Sequence, residues 1–396
     1  MTIDTLALAP VVTEITADLI RGAAELEPTG HGLTPHRLPT WVREQFPDPQ
    51  LLMTEAQPAG VRLLFRTTAS VVALDVRPTK TLYVGAPGRP DGVYDLRIAG
   101  QLIAQASVPG GNQILIDLQA GTTELRGGSV GTALFAGLPD GQKEIEIWLP
   151  WNERTELVAL RTDAPVSPAS APPRPVWVHH GSSISHGSNA ASPSETWPAV
   201  AARACGLDLV NLGFGGSAML DPFMARVIRD APADRISVKI GINLVNADAM
   251  RRRAFVPAVH GFLDTIREGH PTTPLVVVSP IYCPIHESVP GPSAPDPASF
   301  ATGQVRFLAS GDAAQVPFGA MTLQTIRADL AQIVAQRALT DPALFLLDGT
   351  ELYGSADHVE FPLADGLHPG AEVHQSMGHR FAALAFDAAP SDASTD

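Results

Sequence analysis

The stretch VWVHHGSSISHG, Val176 to Gly187, decides how the chain is read. It opens with a strand-length run rich in valine and tryptophan, which ends at Gly181, and Ser183 follows two positions on. The residues ETWPAVAARAC further along have helical texture, with Ser194 placed to cap them. A serine on a strand-to-helix turn stands exposed at the rim of a sheet. An ordinary Ser/Gly loop reads the same way when taken alone. The segment is also not a G-x-S-x-G elbow, because Ser185 stands where the second glycine would be.

Downstream the pattern repeats. LDLVNLG (207–213), RISVKIG (235–241), PLVVVSP (274–280) and LFLLDG (344–349) are further near-continuous apolar runs. Helical segments such as RRRAFVPAVHGFLDTIREG and MTLQTIRADLAQIVAQRAL lie between them. Strands that are apolar on both faces and alternate with helices predict a parallel sheet covered on both sides. Right-handed crossovers then give a flavodoxin-like three-layer α/β/α domain, whose ligands bind beyond the carboxyl ends of the strands.

Upstream the texture differs. TDAPVSPASAPPRP (162–175) is dense in Pro, Ala and Ser and reads as a stiff linker. Before it, GVRLLFRTTA, SVVALDVRP, KTLYVGA, GVYDLRIAG, NQILIDLQ and KEIEIWLPW are short β-branched and aromatic runs punctuated by Gly, Pro and Asp. They leave no room for crossover helices, so an antiparallel, jelly-roll-like β-sandwich is expected. Apolar positions from Val12 to Leu26 recur at helical spacing and predict a short helix. The expected organisation is a helical segment over 1–34, a sandwich over 35–162, a linker over 163–175, an α/β domain over 176–387 and a disordered tail over 388–396. A chain of 396 residues fits two domains.

Three further segments carry chemistry. A serine hydroxyl needs a base within hydrogen-bond reach, and a histidine base needs an acceptor to fix its tautomer. DGLHP places Asp365 and His368 three residues apart just before the last helical segment, although a turn in which Asp365 merely caps the helix reads similarly. The oxyanion of an ester's tetrahedral intermediate needs donors, each worth roughly 3–4 kcal/mol. Gly216 in NLGFGGSA could offer a backbone N–H, and Asn243 in GINLVN a side-chain amide. A tight glycine turn and a loop-capping asparagine are the plainer readings of those two.

Together the four signals run in the order Ser, Gly, Asn, Asp-x-x-His, each at the end of a sheet strand or its equivalent loop. In that order and placement the chain resembles the SGNH/GDSL hydrolases from about Val176 to Phe386. The resemblance implies Ser183 as nucleophile, Asp365 and His368 as its triad partners, and Gly216 and Asn243 as oxyanion donors beside the Ser183 N–H. HHGSSISHG with ETWPA looks like the branch whose first block reads G-S-S-I-T. Members of that branch often carry an N-terminal β-sandwich, which the YDL of GVYDLRIAG also resembles, and commonly remove short acyl groups such as acetyl from sugars. Two positions depart from the pattern: Ser182 and Leu244 stand where many members have Asp, and Asn246 competes with Asn243 for the donor role.

The bulk numbers narrow the partners. With 45% hydrophobic and 17% charged residues the chain is globular. A net charge of −14 without a basic stripe argues against nucleic acid. No apolar run approaches the roughly 20 residues of a membrane span. Cys205 and Cys283 give no disulfide framework, and the N-terminus lacks the basic region of a secretory signal, so a cytoplasmic protein is expected. No cofactor and no metal are expected, since His374 and His379, at i and i+5 beyond His368, have poor ligand spacing on a helix. His179 and His180, at a buried strand end, read as packing residues of which one could contact the site, and CPIHESVPGPSAPDPASF as an irregular loop at the active rim, either a substrate wall or lid or a plain surface excursion.

The expected activity is that of a serine esterase acting on a small ester, with an acylated sugar in view. The rivals are an acyltransferase using the same triad and an inactive carbohydrate-binding or scaffold protein, for which the two departures speak. The sandwich could shape the cleft or mediate homo-oligomerisation.

Overall fold

The computed structural model describes residues 9–85, 88–117, 119–169, 174–302 and 305–386. The expected tail over 388–396 and the centre of the Pro-rich linker lie outside the described residues. The chain divides into two compact units, Met1–Pro173 with Ser192–Ser194, and Arg174–Ala191 with Glu195–Asp396.

The N-terminal unit is a pair of sheets. Among the described residues one has eight strands and runs, in its main path, Thr122–Arg126, Asn112–Asp117, Val71–Tyr83, Arg154–Thr162, Leu33–His36, Glu25–Pro28. The other has six, with the path Val166–Pro168, Arg62–Thr67, Lys143–Trp148, Val93–Ile98, Gln101–Ser107. KEIEIW shows the alternation of a half-buried strand, with Ile145 and Ile147 fully buried. These pack with Phe65, Leu74, Tyr94 and Leu96 into one core. Ser192–Ser194 also belong to this unit: Asp95 of the YDL motif accepts from the Ser194 N–H at 2.9 Å and from the Ser194 hydroxyl at 2.6 Å.

Three expectations are corrected here. Val12–Leu26 is not a helix. It forms the strands Val11–Thr13 and Ile20–Arg21, a single 3-10 turn at Ala17–Leu19, and the start of Glu25–Pro28. Its β-branched residues suit the pairing Val12↔Arg161 and Ile20↔Leu63, and a short apolar run carries the same periodicity in either state. SVVALDVRP and KTLYVGA are one strand, Val71–Tyr83, that runs through Pro78. On one side it pairs with Gly131–Ala136 up to Val76 and with Asn112–Asp117, in parallel, from Thr79 onward. Pro78 falls in the gap, where no ladder N–H is needed on that side. The Pro-rich stretch is also not all linker, since Val166–Pro168 is an edge strand, the place where a sheet tolerates proline.

The C-terminal unit is built on β1 (Val176–Gly181), β2 (Asp208–Gly213), β3 (Arg235–Lys239), β4 (Leu275–Val278) and β5 (Leu344–Leu347). All pairs are parallel and the order is β2-β1-β3-β4-β5, the flavodoxin-like order. Successive side chains of β1 face opposite layers. Trp177 and His179 pack on Trp197 of helix Trp197–Ala204, and Trp177 also on Phe381 of helix Ala371–Phe381. His180 stacks on Phe262 of helix Arg252–Gly269. The chain leaves β1 for β2 on one side and later returns for β3 on the other, so the carboxyl end of β1 is the switch point where such sheets open a crevice. Ser194 does not cap the following helix; Thr196 is the N-cap residue, because Ser194 is engaged by Asp95.

Leu74 is fully buried in the sandwich core. Leu74→Ala is expected to lower unfolding stability by about 2–5 kcal/mol. Urea titration checks this, and a cost below about 1 kcal/mol would mean that this core is not packed as described.

Candidate active site

Ser183 begins a one-turn helix, Ser183–His186, directly after β1. Its neighbours Ile184, Ser185 and His186 are buried while Ser183 stays half-exposed, so the turn offers one hydroxyl to the crevice. The turn closes through the N–H groups of Ser185 and His186, which both donate to Ser182 O, at 3.0 and 2.9 Å. β2 must approach closely for this. A Cβ on Gly213 would lie 2.5 Å from the His186 nitrogen, so this position requires glycine.

The loop before helix Ala371–Phe381 supplies the partners. Asp365 Oδ1 accepts from the backbone N–H groups of Leu367 (2.9 Å) and His368 (2.7 Å). This leaves Oδ2 for the His368 ring, whose Nδ1 donates to it at 2.7 Å. Asp365 therefore caps the turn and orients the histidine at once. With its proton on Nδ1, His368 presents the Nε2 lone pair to Ser183 Oγ at 2.9 Å. Burial pushes the Asp365 carboxyl up, but the hydrogen bonds and charge of His368 and the two backbone N–H groups outweigh it, and the net shift is below the usual carboxylate range. The carboxylate is thus kept ionised opposite an imidazole that becomes charged when it takes a proton.

Gly216 follows β2 with φ +74, a left-handed conformation that favours glycine. Asn243, on the short helix after β3, is 3% exposed, and its Oδ1 accepts from the Ala218 N–H at 3.1 Å. That bond fixes the amide with its nitrogen free. Among the described residues the N–H of Ser183, the N–H of Gly216 and the amide nitrogen of Asn243 have no protein acceptor. Asn246 is tied elsewhere: its Oδ1 accepts from Ser293 Oγ at 3.0 Å, which bonds His286 Nε2 at 2.7 Å, whereas Asn243 is held to the loop that carries Gly216.

Several residues without a sequence signal join the site. Asn189, at φ +66, sends its amide nitrogen to Asp365 Oδ2 at 3.4 Å. The Pro-rich loop forms a small hairpin, Ser293–Pro295 with Phe307–Ala309. Its Phe307 N–H donates to Asp365 O at 2.8 Å, and the Phe307 ring stands edge-on to His368 at 6.2 Å. The hairpin is therefore a wall of the crevice. Cys283 is buried with its Sγ on Gly366 O at 3.4 Å, and burial pushes its thiol up to about 12, so it stays protonated. Ser182 is buried, and Leu244 is fully buried in the core. Among the described residues no group of three or more His, Cys, Asp or Glu side chains is placed to hold a metal ion. His374 is tied to the Trp197 N–H and Ser188 O, and His379 is exposed. No described helix is long and apolar enough to cross a membrane.

Residues 174–285 match the GDSL-like Lipase/Acylhydrolase family. Among solved structures, the chain is similar to the salicylyl-acyltransferase SsfX3 from a tetracycline biosynthetic pathway, at 28% identity and TM-score 0.76 over 93% of this chain and 95% of that one. It is also similar to a family two carbohydrate esterase from Cellvibrio japonicus (12% identity, TM-score 0.52, 94% and 96% covered) and to one from Clostridium thermocellum (11%, 0.55, 82% and 90%). A search of curated proteins finds no match. Residues 174–285 thus match the GDSL-like lipase/acylhydrolase domain that the sequence resembles. The chain is an ester hydrolase, with a β-rich unit ahead of the matched residues.

The two asparagines make opposite predictions. Asn243→Ala should lower kcat by about 10²–10³ with folding intact, the cost of one lost oxyanion donor. Asn246→Ala should leave kcat close to wild type. Steady-state kinetics on both variants checks this, and the reverse pattern would move the donor role to Asn246.

Proposed function

We propose that Ser183, His368 and Asp365 are the nucleophile, general base and orienting acid of a serine esterase that removes short-chain acyl groups, acetyl foremost, from a carbohydrate or small glycoside. The observation that carries this reading is the continuous Ser183 Oγ–His368 Nε2, His368 Nδ1–Asp365 Oδ2 chain at 2.9 and 2.7 Å. Ser183 Oγ attacks the ester carbonyl as its proton passes to His368 Nε2, and Asp365 stabilises the imidazolium. The carbonyl oxygen becomes an oxyanion facing the N–H groups of Ser183 and Gly216 and the amide of Asn243. As the intermediate collapses, the C–O bond to the alcohol breaks and His368 returns the proton to the leaving oxygen. Water then attacks the acyl-serine by the same proton route and releases the acid. The family two carbohydrate esterases share this fold, and the sugar ester is proposed from the G-S-S-I branch and that likeness in fold.

A second reading has one specific observation behind it. The similarity to a salicylyl-acyltransferase extends over nearly the whole chain, so an alcohol rather than water could take the acyl group. The inactive-scaffold reading has less support, because Ser183, His368 and Asp365 stand in hydrogen-bonding geometry and neither Ser182 nor Leu244 belongs to that chain.

Ser183→Ala and His368→Ala should each lower kcat on p-nitrophenyl acetate by roughly 10⁴–10⁶, and the double variant little further, because the residues act as a unit. A double variant that loses the product of both factors would contradict the triad. Adding sugars or alcohols during turnover separates the two activities: free acid as the sole product supports hydrolysis, and a dominant acylated alcohol supports transfer.

A further inference from the structure

Four side chains behind the nucleophile form a hydrogen-bonded chain that the reaction does not use. The Trp177 Nε1–H donates to Ser237 Oγ at 2.9 Å. Ser237 Oγ lies 2.7 Å from His179 Nδ1, and His179 Nε2 lies 2.7 Å from Ser185 Oγ. All four residues are fully buried. An indole N–H can only donate, so Ser237 Oγ accepts it and keeps one hydrogen and one lone pair to share with His179 Nδ1. A neutral imidazole has one donor and one acceptor nitrogen, so His179 can bond Ser237 and Ser185 at once, one through each nitrogen. Burial holds His179 far below the usual imidazole range and so keeps it neutral. The rings of Trp177 and Trp197, at 5.4 and 4.7 Å, pack against it and hold its orientation.

Ser185 is two residues from the nucleophile, within the same helical turn. Its hydroxyl lies so close to the end of β1 that a Cβ on Gly181 would come within 2.4 Å of it. Its carbonyl is held separately, accepting from Asn211 Nδ2 at 2.8 Å. The turn is therefore anchored to the sheet at Ser185, while Ser183 alone leans into the crevice.

We infer that His179 and Ser185 are positioning residues: the hydrogen bond between His179 Nε2 and Ser185 Oγ fixes the turn so that Ser183 Oγ meets His368 Nε2. This explains why serine, rather than the second glycine of an elbow, occupies position 185. The inference rests on Ser183 being the nucleophile.

Two substitutions at His179 separate positioning from packing. The terminal amide of glutamine, which can donate or accept, reaches where Nε2 stood, so His179→Gln keeps a hydrogen bond to Ser185. Asparagine is one carbon shorter, so His179→Asn can serve Ser237 but not Ser185. Both disturb a buried network to a similar degree, and a merely structural role would affect them alike. With p-nitrophenyl acetate, His179→Asn and Ser185→Ala are expected to lower kcat about 10- to 100-fold, the cost of a small misplacement of the attacking atom, with KM little changed. His179→Gln is expected to retain most of kcat. Circular dichroism melting gives the folded fraction against which kcat is counted. The inference is overturned if Gln and Asn lower kcat equally, or if folded Ser185→Ala turns over like wild type. If Ser185→Ala does not fold, the Gln and Asn pair decides alone. Ser183→Ala is run beside them; turnover surviving in that variant would refute the nucleophile assignment itself, whatever the His179 variants do.

Discussion

One bond, between Ser183 Oγ and His368 Nε2, joins residues 185 positions apart. Nothing local can hold two such groups within hydrogen-bond reach, because the conformational entropy of the intervening chain opposes it. The parallel sheet does this work. β1 delivers Ser183 to the rim at the switch point, and the helix Ala371–Phe381 packs through Phe381 against Trp177 of the same strand. The loop that precedes this helix, with His368 on it, is thereby brought to the rim above β1. The core contact and the proposed catalytic contact are two ends of one arrangement, and the apolar face of β1 determines where its last residues can act.

The electrostatics follow from the same burial. Four other histidines surround the turn of Ser183, and each has at least one ring nitrogen committed to structure. His179 serves Ser237 and Ser185, His180 bonds Leu212 O, His186 bonds Gly213 O, and His374 links the Trp197 N–H to Ser188 O. Burial lowers His180 and His374 to about 4, so both are neutral at pH 7. Only His368 combines a carboxylate on one nitrogen with a hydroxyl on the other. Of these five histidines, His368 alone has a carboxylate partner that would stabilise its charged form, which is why the proposed base falls there.

What the sequence disclosed, and what it concealed, divides along the same physics. The strands of the hydrolase domain were legible because strands covered on both faces read as near-continuous apolar runs, and here they alternate with helical segments; the edge strand Leu344–Leu347 shares that texture although Phe345 and Leu346 are exposed. Ser183, Asp365 and His368 were legible because their chemistry restricts residue type and spacing, and the structure brings them together. Val12–Leu26 was misread because a short apolar run has no period that excludes either state, and its partners at Leu63 and Arg161 are remote in sequence. Pro78 looked like a strand end, since nothing local reveals that the neighbouring strand changes beside it. His179 passed as packing because a hydrogen bond to Ser237 has no sequence signature, and Phe307 reached His368 through a loop whose composition speaks only of irregularity.

The account's central claim is that Ser183 is an activated nucleophile, and it is tested most directly by labelling the intact protein with a fluorophosphonate and locating the adduct by peptide mass spectrometry. The account predicts one adduct, on the peptide containing Ser183, absent from His368→Ala and accompanied by p-nitrophenyl acetate turnover in the unlabelled enzyme. Folded protein that takes no label and turns over no ester, or that takes it on another residue, would contradict it.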